Sequence, residues 1–204
     1  MLKLFKFPNI RHFVLGIALA SGLGATGTAL AQSPVAKHVG TSAPVVSRNI
    51  TEAEVLSAQR AWGEALVQIS KDYESGGIAK AKATAEAVLD AAYGYRLGPV
   101  LFKPTLTTAP QTFRATREGA LSYFVGHNPA YPDDTGFALK GWRSVEIRNL
   151  AIQLHGQTAL SMGNVMITDK NGTVTTVDKT WGYVRDDLGA LRIVLHHSSL
   201  PVTR

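Results

Sequence analysis

Four strand-like segments separated by short turn signals fill the last third of the chain, and this pattern most narrows the folds open to it. The segments are rich in β-branched and aliphatic residues and span residues 143–154, 158–168, 173–185 and 191–199. The turn signals between them are Gly156, Asp-Lys-Asn-Gly at 169–172 and Asp-Asp-Leu-Gly at 186–189. Short turns of this composition are typical of hairpins, so the pattern predicts an antiparallel β-meander.

The segments before the meander have helical spacing. Thr51 and Glu54 form the ends of a capping box, and apolar residues then recur at helical intervals as far as Tyr73. We expect this helix to end near Gly76-Gly77 and a second, alanine-rich helix to follow over about fifteen positions. Residues 98–105 read as a short extended segment, and residues 116–124 as a short helix.

Helices first and strands last predict an α+β fold. We expect the long N-terminal helices to pack on one face of a highly curved, mostly antiparallel sheet. Such a sheet wrapped around a helix forms a cone, and the open end of the cone leaves room for a pocket.

The first 31 residues have the pattern of a cleaved signal peptide. Lys3, Lys6 and Arg11 provide a basic start, residues 13–19 are apolar, and Ala29-Leu30-Ala31 is a small-x-small cleavage motif. The apolar run is shorter than the ~20 residues that a membrane span needs. We therefore expect cleavage after Ala31, a periplasmic or secreted protein and no stable membrane anchor.

The rest of the chain divides into a flexible linker, residues 32–49, and a single domain, residues 50–204. Without the signal peptide the chain has 18 basic and 15 acidic residues, a net charge of +3. These charges are scattered, with no basic stripe, so nucleic acid is not an expected partner. The sequence contains no cysteine, which excludes disulfides, thiolate nucleophiles and cysteine-ligated metal sites.

Four polar residues, His196, His197, Ser198 and Ser199, end the last apolar strand. Burying such groups without partners costs about 1–3 kcal/mol each, so they are either satisfied within the fold or line a cavity that uses them. Because side chains alternate along a strand, His196 and Ser198 share one face while His197 and Ser199 share the other. Both faces of the strand are apolar before this point, so either pair could line the pocket.

The alternation of side chains along a strand also affects which histidines could bind a metal ion. A catalytic zinc site usually needs three converging protein ligands, and adjacent histidines on a strand point apart. The domain's other histidines are His127, in a predicted loop, and His155, in a predicted turn. We therefore predict no metal site and no cofactor, although the sequence leaves a dependence on zinc or manganese open.

Two other functions deserve comparison. A Ser-His-Asp hydrolase is disfavoured because no Gly-x-Ser-x-Gly motif lies between a strand and a helix. A non-enzymatic protein that binds a small ligand, or a dimeric association module, stays open, because a cone fold by itself does not determine function.

Several motifs occur together in an order that resembles the iota-class carbonic anhydrases. They are GPVLFKPT at 98–105, FRATREGALSYF at 113–124, WGYVRDD at 181–187 and HHSS at 196–199. The resemblance covers about residues 50–201. It implies a cone-shaped fold akin to nuclear transport factor and to the calmodulin-kinase association domain, usually as a homodimer.

The resemblance also implies an activity and a site. The activity is the reversible hydration of carbon dioxide to bicarbonate, which some members carry out without a metal. In those members a Thr, a Tyr, a Ser and a His surround bicarbonate, and the matching catalytic residues here are Thr105, Tyr123, His196 and Ser198. His197 and Ser199 are the alternates for substrate binding.

Overall fold

The computed structural model describes residues 47–202, so the predicted signal peptide at 1–31 and most of the predicted linker lie outside the described residues. The described part is α+β, as the sequence predicts. Its helices are α1, Glu52–Ala92, and α2, Arg117–Val125, with a 3-10 turn at Phe137–Leu139. Its strands are β1, Leu101–Lys103; β2, Trp142–His155; β3, Thr158–Asp169; β4, Val174–Arg185; and β5, Leu191–Ser199.

Helix α1 begins with the predicted capping box. The Thr51 hydroxyl accepts a hydrogen bond from the Glu54 backbone N–H at 3.3 Å, and the Glu54 carboxylate accepts one from the Thr51 N–H at 2.9 Å. The helix is broken at Gly77, where φ is 67° and ψ is −165°, a conformation that glycine adopts far more readily than other residues. The predicted boundary between two helices is thus confirmed as a break between two arms of α1.

Within residues 47–202, no helix is both long and apolar enough to cross a membrane.

The five strands form one mixed sheet in the order β1-β5-β4-β3-β2. Strands β2 to β5 are consecutive antiparallel neighbours, and β1 pairs with β5 in parallel. The pairing of β2 with β3 shifts between Asn149 and Ala151, opposite Gly163, where an added Cβ would lie only 2.1 Å from the backbone oxygen of Arg148. Such irregularities bend a strand and increase its local twist.

The core lies between α1 and the inner face of this sheet. Its largest buried side chains include Trp62 and Leu66 from α1 and Trp181 and Tyr183 from β4. On β4 the buried positions recur at every second residue from Val177, as expected for a strand with one face turned inward.

A buried ion pair fixes the connections around α2. The guanidinium of Arg114 lies 2.7 Å from the carboxylate of Asp134, and each side chain is only 3% exposed. The hydroxyl of Ser122, on α2, donates to the same carboxylate at 2.7 Å. The segment before α2, the helix itself and the loop after it are therefore held together by one charged cluster.

Replacing Arg114 with leucine should destabilise the fold by about 3–5 kcal/mol, because the buried Asp134 carboxylate would lose its partner. Chemical denaturation of the wild type and Arg114→Leu measures the difference. Arg148→Leu is the matched control, since Arg148 pairs with Glu146 at 2.7 Å on the exposed surface of β2 and such pairs contribute about 0–1 kcal/mol. Equal losses in the two variants would contradict this account of the cluster.

Candidate active site

A pocket lies where the inner face of the sheet meets α1 and α2. Its empty volume is about 180 Å3, including space open to solvent. The lining residues come from both helices, the 3-10 turn, three strands and the chain just after β1: Trp62, Phe102, Pro104, Thr105, Tyr123, Phe124, Phe137, Lys179, His196 and Ser198. All four predicted catalytic residues are in this set, and no Asp or Glu among the described residues is.

The orientation of β5 answers the question that alternation left open. His196 and Ser198 are each 1% exposed and line the pocket. His197 is exposed and Ser199 half-buried, and neither lines the pocket. The inward pair is therefore His196 and Ser198.

Thr105 and Ser198 form a hydroxyl pair at one wall of the pocket. The parallel register of β1 with β5, in which Phe102 lies opposite His196, brings the chain just after β1 alongside Ser198. The Thr105 hydroxyl then donates to the Ser198 oxygen at 2.6 Å. Since a serine hydroxyl has one hydrogen of its own, this bond leaves the Ser198 hydrogen available for a molecule in the pocket.

Tyr123, on α2, adds a third hydroxyl. Its side chain is buried, which raises the pKa of the phenol above its ordinary value. The phenol therefore stays protonated at neutral pH and can donate a hydrogen bond to an oxygen in the pocket.

His196 is enclosed by aromatic rings, and both its ring nitrogens are hydrogen-bonded. It stacks on Phe102 with 4.3 Å between ring centres. Its Nδ1 lies 2.8 Å from the Tyr93 hydroxyl and its Nε2 lies 2.7 Å from Nζ of Lys179. Burial holds the pKa of the imidazole well below its ordinary value, so the ring is neutral at neutral pH.

Sequence reasoning missed Lys179 and Tyr93. Lys179 lies on β4 directly across from Ser198 and is only 4% exposed. Burial lowers the pKa of its amine from 10.5 to about 7. Its position could have been found from strand alternation, because it shares the inward face of β4 with Val177 and Trp181.

Tyr93 lies just beyond the C-terminus of α1, where its hydroxyl accepts a hydrogen bond from Nε1 of Trp62 at 3.0 Å. No sequence pattern distinguishes it from an ordinary core tyrosine.

Residues 47–202 contain no group of three or more His, Asp or Glu side chains placed to hold a metal ion, and His127 and His155 are not among the pocket residues.

Comparison with known proteins gives consistent matches. The profile of the family described as metal-independent carbonic anhydrase matches residues 53–200. A metal-independent carbonic anhydrase of Nostoc sp. is 56% identical over an alignment of 203 residues that covers 98% of each chain.

Two solved structures are also similar. The crystal structure of an iota-carbonic anhydrase from a cyanobacterium, complexed with bicarbonate, is 63% identical, with a TM-score of 0.78 over 79% of this chain and 99% of that one. A putative calcium/calmodulin dependent protein kinase II association domain from Xanthomonas campestris is more distant, with 23% identity and a TM-score of 0.48 over 76% of this chain and 95% of that one.

The family profile spans most of the described domain, and the Nostoc relative is similar along almost its full length. The chain therefore belongs to the metal-independent carbonic anhydrases of the iota class, enzymes of the reversible hydration of carbon dioxide to bicarbonate.

Proposed function

We propose that carbon dioxide is hydrated in the pocket described above, with Thr105, Tyr123 and Ser198 holding the substrate oxygens and His196 assisting proton transfer through the groups hydrogen-bonded to its ring. The main support for this proposal is that polar side chains from separate parts of the chain meet in one pocket. The chain after β1, helix α2 and strand β5 each bring polar side chains to one small space whose other walls are largely aromatic.

The hydroxyl groups suit the charge that develops in hydration. As water adds to the carbon, negative charge grows on the carbon dioxide oxygens, and donors already in place stabilise it most effectively. Ser198 has a free hydrogen because Thr105 donates to its oxygen, and Tyr123 stays protonated because it is buried. The bicarbonate complex of the cyanobacterial relative supports the proposal that this pocket binds bicarbonate too.

His196 contributes to transfer of the released proton rather than to binding of the substrate oxygens. Both its ring nitrogens are bonded to protein groups, Tyr93 on one side and Lys179 on the other. It therefore has no free nitrogen to take a proton directly from water, and its contribution passes through these two partners.

Removing a pocket hydroxyl should slow hydration without unfolding the protein. We expect Ser198→Ala and Tyr123→Phe each to lower kcat/KM by about 100-fold, the usual loss for one donor aimed at developing negative charge. Stopped-flow measurement of carbon dioxide hydration tests both variants.

Ser199→Ala is the matched comparison, because it removes a hydroxyl one residue away on the opposite face of β5 and should leave the rate within about twofold. Full activity in both Ser198→Ala and Tyr123→Phe would contradict the assignment of the pocket. A greater loss in Ser199→Ala than in Ser198→Ala would contradict the assigned orientation.

We propose further that the protein is exported and forms a homodimer. Export is supported by the basic start, apolar run and small-x-small motif of residues 1–31. Dimer formation is supported by Leu160 and Met162, which are exposed on one face of β3 beside Ala151 and Gln153 of β2. Neighbouring exposed apolar side chains of this kind are common at protein interfaces.

One native mass measurement tests both proposals. Protein recovered from the periplasm or medium should have twice the mass of a chain that begins at Gln32. A chain that keeps residues 1–31 would contradict cleavage, and a monomer at micromolar concentration would contradict the dimer. Met162→Glu should yield monomers if β3 forms the interface, because a buried unpaired carboxylate is unfavourable.

A further inference from the structure

We propose that Lys179 has a neutral amine in the resting pocket and accepts the proton of the attacking water during hydration. The inference rests on the proposed function of the pocket and deepens it by naming the group that receives the proton. It is carried by the hydrogen bonds around His196, by the burial of Lys179 and by its place in the pocket wall.

The hydrogen bonds around His196 favour one arrangement of hydrogens. Trp62 Nε1 is only a donor, so the Tyr93 oxygen accepts from it at 3.0 Å. Tyr93 then has one hydrogen to donate, and its other side-chain partner among the described residues is Nδ1 of His196. With Nδ1 accepting, the neutral ring carries its hydrogen on Nε2 and donates it to Nζ of Lys179.

An ammonium group has no lone pair and cannot accept that bond, so Nζ of Lys179 must be a neutral amine in this arrangement. The opposite arrangement makes Lys179 the donor and places the ring hydrogen on Nδ1. It directs two donors at the Tyr93 oxygen and leaves the Tyr93 hydrogen without an acceptor among residues 47–202. A buried donor without an acceptor costs about 1–3 kcal/mol, so the first arrangement is favoured.

Burial without a charged partner also favours the uncharged form of Lys179. Two tryptophan rings offset this only in part by cation–π contact, since Nζ lies 4.8 Å from the centre of the Trp62 ring and 5.6 Å from that of Trp181. Across the sheet its neighbours are Gly163 on β3 and Ser198 on β5. No carboxylate within the described residues forms an ion pair with it.

The titratable groups that face Lys179 come from four elements. They are His196 on β5, Tyr123 on α2, Tyr93 after α1 and Lys103 on β1, whose Nζ donates to the Ser198 backbone oxygen at 3.3 Å. The tyrosines have pKa values raised by burial and the histidine has one lowered by burial, so these three are neutral near pH 7. Lysine 179 is then the group lining the pocket whose protonation state changes near neutral pH, since burial lowers its pKa to about 7.

The proton-transfer step balances with this residue alone. The water oxygen bonds to the carbon, one C=O π pair moves onto its oxygen, and the hydrogen bond from Nε2 of His196 to Nζ breaks so that a water proton moves to the freed Nζ lone pair. Carbon dioxide, water and the amine thus become bicarbonate and an ammonium group, which stand as an ion pair inside the pocket. Loss of the ammonium proton to solvent buffer restores the amine, and the reverse sequence dehydrates bicarbonate.

The rates of hydration and dehydration should therefore depend on pH in opposite ways. Hydration needs the neutral amine, so kcat/KM for hydration should rise as pH increases through about 7. Dehydration needs the ammonium form, so its kcat/KM should fall over the same interval. Lys179→Met, which retains the length of the side chain but has no amine, should lower kcat by about 100-fold or more and abolish both slopes.

Two further variants distinguish a role of Lys179 in proton transfer from an effect of its positive charge or of its packing. Lys179→Arg keeps a positive charge but cannot become neutral, so it should be as slow in hydration as Lys179→Met. Lys82→Met removes an exposed lysine of α1 and is the matched control, with activity and pH profile unchanged.

The outcomes distinguish this inference from the proposed function. If Ser198→Ala is slow while Lys179→Met keeps the wild-type kcat and pH slopes, the pocket is correct and the role of Lys179 is wrong. A higher KM for bicarbonate in Lys179→Met with unchanged kcat would also contradict the inference, because it would show a role in anion binding only. Normal rates in both variants would overturn the proposed function itself.

Folding stability supplies a readout independent of activity. Between pH 7 and 10.5 the unfolded chain would bind a proton at Lys179 that the folded protein does not, so this residue should make stability rise with pH. The unfolding free energy of Lys179→Met relative to that of wild type should therefore be highest near pH 7 and fall towards pH 9. A difference that does not vary with pH would contradict a neutral buried amine.

Discussion

The site depends on one buried chain of hydrogen bonds that runs from Trp62 through Tyr93 and His196 to Lys179. It joins α1, β5 and β4, so the long helix and two neighbouring strands are fixed to one another by polar groups as well as by apolar packing. A group buried without a partner is costly, and each member of this chain therefore constrains the next. The stacking of His196 on Phe102 adds β1 to the same unit and sets the position of the chain that follows it.

From that constraint the chemistry of the pocket follows. The parallel pairing of β1 with β5 places Thr105 beside Ser198, and their bond directs the serine hydrogen to the pocket space. The aromatic walls lower the local dielectric, which strengthens hydrogen bonds to a developing anion and makes a charged lysine costly. Family membership favours this enzymatic interpretation over the alternative of a non-enzymatic binding or association module. The pocket thus brings hydroxyl donors and a neutral base together without needing a strong nucleophile of its own.

Much of the fold could be predicted from local sequence because the signals were local. The capping box at Thr51, the break at Gly77 and the glycine-containing turns each act within a few residues, and the bounds of the four meander strands agree with prediction to within one residue. The inward pair of β5 could not be chosen, since Val194 and Leu195 make both faces apolar. Lys179 and Tyr93 were missed because their roles depend on contacts with His196, which lies 17 residues from one and 103 from the other along the chain.

Hydration activity after removal of metal tests the central claim most directly. The protein is exhaustively chelated, its residual metal is quantified, and carbon dioxide hydration is followed by stopped flow. The account predicts that the rate per protein molecule is unchanged when metal is far below one ion per chain, because the pocket's own hydroxyls and amine supply the chemistry. A rate that is lost on chelation and returns with zinc or manganese would contradict it.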